Sequence, residues 1–425
     1  MYPDFQYLLQ SLTGTDMPEW LSIFKTFGFF VAMAFLAAAW TLSLELKRKE
    51  ALGLLHPTFS TIEVGKPVTK SELIWSFVSG LLIGFKVGGI FGHIAEVSPD
   101  PLGYVFSMKG SYLGAVIGGI ILMNLKLAEK KKQQLPKPEL RKVTTHPHQR
   151  ALEILLIAAV SGMAGAKIFN AFETWDQFLQ DPIGNLFSSS GLTFYGGLIV
   201  ATISLYFYSR KHNIKFVHLC DAAAPGLILA YGLGRLGCHF AGDGDWGIFN
   251  SAYITNPDGT LHLAMQSEFA EVAARVSARY KDILTIPHIY APAPSWLPDW
   301  LYGMNYAHNV NHDGVLIQGC TGSYCGVLPV SVFPTPIYEF AACMVLFGIL
   351  WALRTRMKYP LQLFGIYLIM NGLERFFVEK IRVNFKYDLG FIHPTQAEII
   401  STVLVITGLI MLLWVRKKSQ EQQEA

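Results

Sequence analysis

Charge is what this sequence has least of. Only 15% of its 425 residues are Asp, Glu, Lys or Arg, against 52% hydrophobic, more apolar surface than one soluble core of this length can hide. The chain therefore reads as an integral membrane protein. It also lacks a strong net charge, the formal value being +3, which argues against a nucleic-acid partner. No N-terminal run joins a basic start, a short apolar core and a small-residue cleavage site, so residues 1–16 read as a retained lead-in to a first helix. Cysteines number five. Cys220, Cys238 and Cys343 sit in apolar segments, while Cys320 and Cys325 lie in a polar loop that could close as a disulfide in an oxidising compartment.

What the sequence does have is apolar stretches long enough to cross the hydrocarbon core. They begin near Leu21, Leu73, Gly110, Ala151, Gly191, Val217, Thr335, Leu361 and Thr395, nine in all. The expected fold is an all-α polytopic membrane protein with a small head. Basic clusters occupy every second connection: Lys47 to Lys49, Lys130 to Arg150, Arg210 and Lys211, Arg354 to Lys358, and Arg416 to Lys418. The positive-inside rule puts these in the cytoplasm, so the N-terminus is expected outside and the C-terminus inside. The chain then divides into a three-span N-terminal region (1–150), three spans of a core (151–247), an extracytoplasmic head (248–333) with an amphipathic stretch over 269–280, three further spans (334–415) and a cytoplasmic tail (416–425). The Lys-rich loop is most simply a solvated linker touching lipid.

A repeat runs through the first half. Val78-Ser79-Gly80 with Gly84-Phe85-Lys86 resembles Val160-Ser161-Gly162 with Gly165-Ala166-Lys167. Asp100-Pro101-Leu102-Gly103 and Gly110 return as Asp181-Pro182-Ile183-Gly184 and Gly191. Spans two and three therefore look like a parallel copy of spans four and five, although two glycine-rich hairpins can share such features by chance. Gly80, Gly84 and Gly88 form one helical stripe, read as close helix packing.

Other residues are costly where they stand. Span six places Arg235 among Gly232, Gly234 and Gly237, followed by His239, Asp243 and Asp245. An arginine at membrane depth costs a few kcal/mol unless paired or wetted, and a bound phosphate would pair it; snorkelling to the outer surface is the alternative. Span eight sets Asn371, Arg375, Glu379 and Arg382 on one face, a stripe that lines a cavity or ties helices together as ion pairs. Glu379 can neutralise either arginine, leaving the other for an anion. Span seven opens with Tyr338 and Glu339 after Pro334-Thr335-Pro336, and span nine with His393 and Gln396. All these gather at the outer ends of the spans, where Tyr195 also falls.

The ordered set formed by Gly234-Arg235-Leu236-Gly237, Trp246-Gly247, Tyr338-Glu339 and the run from Arg375 to Arg382 resembles the prolipoprotein diacylglyceryl transferase family over roughly 151–414. The resemblance implies an enzyme of the bacterial cytoplasmic membrane that moves the diacylglyceryl group of phosphatidylglycerol onto the lipobox cysteine of a prolipoprotein signal peptide. A thioether forms and glycerol phosphate leaves, with no metal or organic cofactor. By position, Arg235 matches the family's essential arginine, Arg375 the arginine that grips headgroup or peptide, and Tyr338 and Glu339 the family's Tyr-Glu pair. Arg382, Gly196, Gly197 and Gly237 are expected at the lipid, with Glu379, Asp243, Asp245 and Asn371 in support. Chemistry agrees: a departing phosphate needs cations where negative charge develops, and arginine grips it without deprotonating. The thiol needs a base or an electropositive field.

Two departures touch that base. Tyr195 in Phe194-Tyr195-Gly196-Gly197 stands where the family carries histidine, and the family's Asn-rich run after Gly237 becomes Cys238-His239-Phe240-Ala241-Gly242-Asp243-Gly244-Asp245. His239, a neighbouring aspartate, or Tyr195 activated by the arginines is the expected proton acceptor, although His239 can equally serve as a hydrogen-bonding residue at the interface. A transporter, or a paralogue that binds phospholipid without catalysis, is the rival reading.

Overall fold

The computed structural model describes residues 1–98, 101–188, 191–276, 287–384, 386–388, 390 and 393–424. Asp100 of the repeat and residues 277–280 of the amphipathic stretch lie outside them. Numbering only the long helices, α1 covers Thr26–Ala51, α2 Lys70–Gly89, α3 Tyr112–Gln133, α4 Ala151–Glu173, α5 Phe194–Lys211, α6 Phe216–Ala241, α7 Thr335–Leu353, α8 Gln362–Glu379 and α9 Gln396–Glu424. Each expected apolar stretch is thus a helix. Among the described residues, seven are long and apolar enough to cross a membrane. The other two are α5, which closes on Arg210 and Lys211, and α8, which carries Glu374, Arg375 and Glu379 within eighteen residues.

Contacts divide the chain into two compact units, one of residues 1–16, 24–45 and 217–425, the other of residues 17–23 and 46–216. The divisions fall within α1 and at the start of α6 rather than at residues 150 and 247.

The second unit consists of two helical hairpins and a ribbon. β1 (Thr58–Val64) pairs antiparallel with β2 (Glu139–Thr145), Thr58 opposite Thr145. Hairpin α2–α3 closes on glycine: a Cβ on Gly80 or Gly84 would stand 2.3 Å from Gly118 O or 2.2 Å from Gly114 O. Hairpin α4–α5 does the same, a Cβ on Gly165 reaching 2.5 Å from Gly196 O. Backbones at such range leave no room for a side chain. Each hairpin also ties the connection between its two helices to a lysine. Lys86 Nζ donates to Tyr104 O at 2.7 Å and Ser107 Oγ at 3.3 Å; Lys167 Nζ donates to Asn185 O at 3.2 Å and Ser188 Oγ at 3.0 Å. The offsets, 18 and 21 residues, are identical in the two copies.

The first unit joins α6, α7, α8 and α9 with most of α1 and the segment 248–333. That segment is where the chain departs from an all-helical plan. Central strand β3 (Phe249–Thr255) pairs antiparallel with β4 (Leu261–Leu263), parallel with β5 (His288–Ile289), and antiparallel with β8 (Val330–Val332). Helix Gln266–Val276 covers the sheet, burying Phe269, Val272 and Ala273 with Tyr306, Leu328 and Val330. A further hairpin, β6 (Val315–Leu316) with β7 (Gly326–Val327), carries a Cys320–Cys325 disulfide at its tip, Cα atoms 5.7 Å apart. Short strands broken by Pro and Gly give little period-two signal, so the sheet was not legible in the sequence. Within the helical part, Asp221 of α6 accepts from Leu361 N and Phe364 N, both at 2.9 Å, and so satisfies the open first turn of α8.

Candidate active site

Three chain segments are stitched side by side where the helices meet the sheet. Gly247 N donates to Phe333 O at 2.9 Å, Ile248 N to Ile381 O at 2.9 Å, and Thr335 Oγ1 to Asp245 O at 2.9 Å. Gly247 must be glycine here, since a Cβ would stand 2.7 Å from Ile381 O and 2.9 Å from Thr335 Cγ2. Pro336 in the first turn of α7 suits a helix start. The stitching carries the side chains of α6, α7 and the end of α8 to one point.

At that point stands Glu339, fully buried. Its Oε2 takes Arg235 Nε at 2.6 Å and the Tyr231 hydroxyl at 3.2 Å; its Oε1 takes Arg382 Nη1 at 3.3 Å, with Arg375 Nη1 at 3.7 Å. Asp245 bridges Arg235 and Arg382 through direct ion pairs to both. Arg375 Nη2 meets Glu379 Oε2 at 2.7 Å, and Asn384 Nδ2 donates to Glu379 Oε1 at 2.7 Å. The group thus matches three guanidiniums with three carboxylates, which is how charge survives away from water. This corrects one expectation: Glu379 does not leave an arginine unpaired, because α7 and the turn after α6 contribute further carboxylates. Exposure still distinguishes the three, the side chains of Arg235 and Arg375 being 21% and 24% exposed and that of Arg382 10%.

The glycines around Arg235 differ in what they face. A Cβ on Gly232 would meet Cys343 Cβ at 2.7 Å, and one on Gly237 Phe30 Cβ at 3.1 Å, so both serve helix packing. Gly234 has nothing within 4 Å of such an atom. Space is therefore left one residue from the arginine.

Beyond α6, Asp243 accepts from Asp245 N at 3.3 Å. Burial pushes the Asp243 carboxyl above its ordinary value. Burial also works to raise Asp245, but the guanidiniums of Arg235 and Arg382 outweigh it and hold that carboxyl below its ordinary value. The donors of Cys238, Asp243 and Asp245 lie within 4.8 Å of one another. With Asp245 held by two arginines, that trio offers a cation a poor seat.

Other expected residues are placed differently. His239 is buried and its Nδ1 lies 3.2 Å from the Tyr306 hydroxyl, so its partner belongs to the sheet segment rather than to the charged group. The Tyr338 hydroxyl bonds Leu301 O, anchoring α7 to the same segment. Asn371 is half-buried one turn before Arg375. His393 Nε2 sits 3.3 Å from Asp388 Oδ1, and Gln396 opens α9, where Thr395 and Glu398 form the cap. Tyr195, Gly196 and Gly197 belong to the other compact unit. There, a Cβ on Gly196 would stand 2.3 Å from Phe169 Cβ and one on Gly197 2.8 Å from Gly162 O, so both glycines are required by the packing of α5 on α4.

Two residues beside the group were given no part in it from the sequence. Tyr231, one turn before Arg235, looks like an ordinary aromatic. Glu374 is buried beside the cluster with neither carboxylate oxygen hydrogen-bonded, and the one signal for it was its place next to Arg375 in an apolar helix.

A family model described as prolipoprotein diacylglyceryl transferase matches residues 131–414. The phosphatidylglycerol–prolipoprotein diacylglyceryl transferase of Dehalococcoides mccartyi is 26% identical over 279 residues, covering 65% of this chain and 81% of that protein. Proteins of the same name from Chlorobaculum tepidum and Stenotrophomonas maltophilia are 24% and 26% identical over 277 and 279 residues, covering 61% and 62% of this chain and 71% and 76% of theirs.

Proposed function

The chain belongs to the prolipoprotein diacylglyceryl transferase family, and from that membership we propose that the buried arginine group is where it transfers diacylglyceryl from phosphatidylglycerol to a prolipoprotein. The observation that carries this reading is the convergence of Arg235, Arg375 and Arg382 on Glu339. An incoming phosphodiester is a fourth anion for a group already balanced. It meets Arg235 and Arg375 first, because these are the more exposed, and the open space at Gly234 lets it approach the backbone. As the phosphate leaves, charge grows on its bridging oxygen, and preorganised guanidiniums stabilise it without reorganising.

The acceptor is the thiol of the lipobox cysteine. Its proton goes to a base, the sulfur attacks the glyceryl carbon, and the carbon–oxygen bond breaks with its electron pair leaving on glycerol phosphate. We assign the base to Asp243. It is half-buried beside the arginine-bound Asp245, and its raised pKa makes it a better proton acceptor than an ordinary carboxylate. His239 is turned to Tyr306 instead. Apolar helices and this family support a multi-pass protein of the bacterial inner membrane; the alternating basic loops favour the orientation that puts the 248–333 segment outside.

Expression in a strain depleted of its own prolipoprotein lipidation tests the assignment. The chain is expected to restore growth and thioether formation, and Arg235→Lys and Arg375→Lys to reduce transfer by about 100-fold or more, as lost transition-state donors do. Restored lipidation with both lysine variants at full rate would remove the arginines from the chemistry.

A further inference from the structure

Away from the arginine group, the second unit brings three metal-ligating side chains together from positions far apart in the chain. Glu50 stands in the last turn of α1, and His146 and His148 flank Pro147 at the lead-in to α4. The ribbon is the cause: pairing Thr58 with Thr145 draws the segment before α4 back beside the end of α1. Pro147 and the Gln149 side chain, which accepts from His146 N at 2.9 Å, then fix the turn. Both rings present the same nitrogen to one carboxylate. His146 Nδ1 lies 2.6 Å from Glu50 Oε1 and His148 Nδ1 3.3 Å from Glu50 Oε2, the rings stacked with centroids 5.5 Å apart. One donor atom from each of the three lies within 4.8 Å of the others.

We propose that Glu50, His146 and His148 form a binding site for a divalent ion of the zinc class, fastening the last turn of α1 to the start of α4. Two imidazoles and one carboxylate are a donor set such ions accept, with a fourth position left to water. At zinc bond lengths of roughly 2.0–2.1 Å, neighbouring donors in a tetrahedron stand about 3.3 Å apart. His148 Nδ1 already stands 3.3 Å from Oε2 while His146 Nδ1 lies 2.6 Å from Oε1, so a bound ion takes one carboxylate oxygen and the Glu50 carboxylate turns to set that oxygen between both rings. Each ring then carries its proton on Nε2 and gives Nδ1 to the ion. The side chains are partly exposed, 16% for Glu50, 41% for His146 and 28% for His148, which gives an ion a route in from solvent. Glu50 lies outside the family match at 131–414 and far in sequence from the arginines, so this site is structural rather than part of the transfer.

The test uses the full-length chain without a polyhistidine tag, purified in detergent, stripped with EDTA and titrated with ZnCl2. One zinc per chain is expected, with a rise in thermal midpoint. Glu50→Gln and the double variant His146→Gln, His148→Gln are expected to weaken binding at least about tenfold, as losing a metal's supporting groups does elsewhere. No uptake at micromolar zinc, or uptake unchanged in both variants, overturns the proposal. Cobalt substitution of the unmutated chain decides the matter even if a variant fails to fold. Visible bands of nitrogen and oxygen ligation support the site, whereas a thiolate charge-transfer band places the ion on a cysteine and refutes it.

Discussion

Glu339 and Asp243 illustrate what one carboxylate does when the dielectric around it is low. Glu339 is worth little as a pair energy in isolation, since burying two charges costs about what their attraction returns. Removing it alone is different, because three guanidiniums then face one another. Glu339→Gln is expected to lower stability by about 3–5 kcal/mol, read as a large fall in thermal midpoint in detergent, together with loss of transfer. A fully stable and active glutamine variant would show the arginines to be neutralised by Asp245 and Glu379 alone. At Asp243 the expected effect is on pH dependence. Burial favours the neutral form, so its carboxyl titrates above the usual Asp range. A base must be ionised, so activity is expected to fall as pH drops through that raised pKa and to level off above it. In Asp243→Asn transfer drops and this acid limb disappears; if the limb persists there, the proton goes elsewhere.

Between helices, the evident device is the pair of hairpins α2–α3 and α4–α5. Glycine-to-carbonyl packing holds each together, and a lysine ties down the connection between the helices at offsets of 18 and 21 residues. Lys86 Nζ also reaches Ser107 O at 2.5 Å and Lys109 O at 2.9 Å, so one ammonium serves several carbonyls of the loop. Lys86→Met removes these donors from a low-dielectric boundary. Each carbonyl left unpaired costs about 1–3 kcal/mol, and protease cleavage between α2 and α3 is expected to quicken while transfer continues. Unchanged cleavage would mean that the glycine contacts alone set the loop. The sequence showed the repeat through these glycines and lysines, because close packing and an ammonium serving several loop acceptors each demand a particular residue type. It could not show that Gly196 and Gly197, expected beside lipid, are required by helix packing.

For the whole molecule, the orientation read from alternating basic loops makes opposite predictions for two exposed places. The disulfide between Cys320 and Cys325 belongs to a segment expected outside, and Leu140 of the ribbon to a loop expected inside. In spheroplasts treated with reductant, a membrane-impermeant maleimide is expected to label Cys320 and Cys325 and to miss a cysteine introduced by Leu140→Cys until the membrane is opened. The reverse pattern would invert the topology.

The sequence by itself determined the long apolar helices found among the described residues and the family, and it singled out Arg235 and Arg375 as costly charges. Length, apolarity and the cost of charge in lipid are local properties that composition and spacing record directly. Only the tertiary structure decided which carboxylates neutralise them. Glu339, Asp245 and Glu379 arrive from separate segments, and nothing in the spacing of one segment says that Gly247, Phe333 and Ile381 will be joined by main-chain bonds. The same holds for the candidate bases: His239 lies within α6 and its ring meets Tyr306, whereas Asp243, four residues on, lies beyond the helix and accepts from Asp245 N.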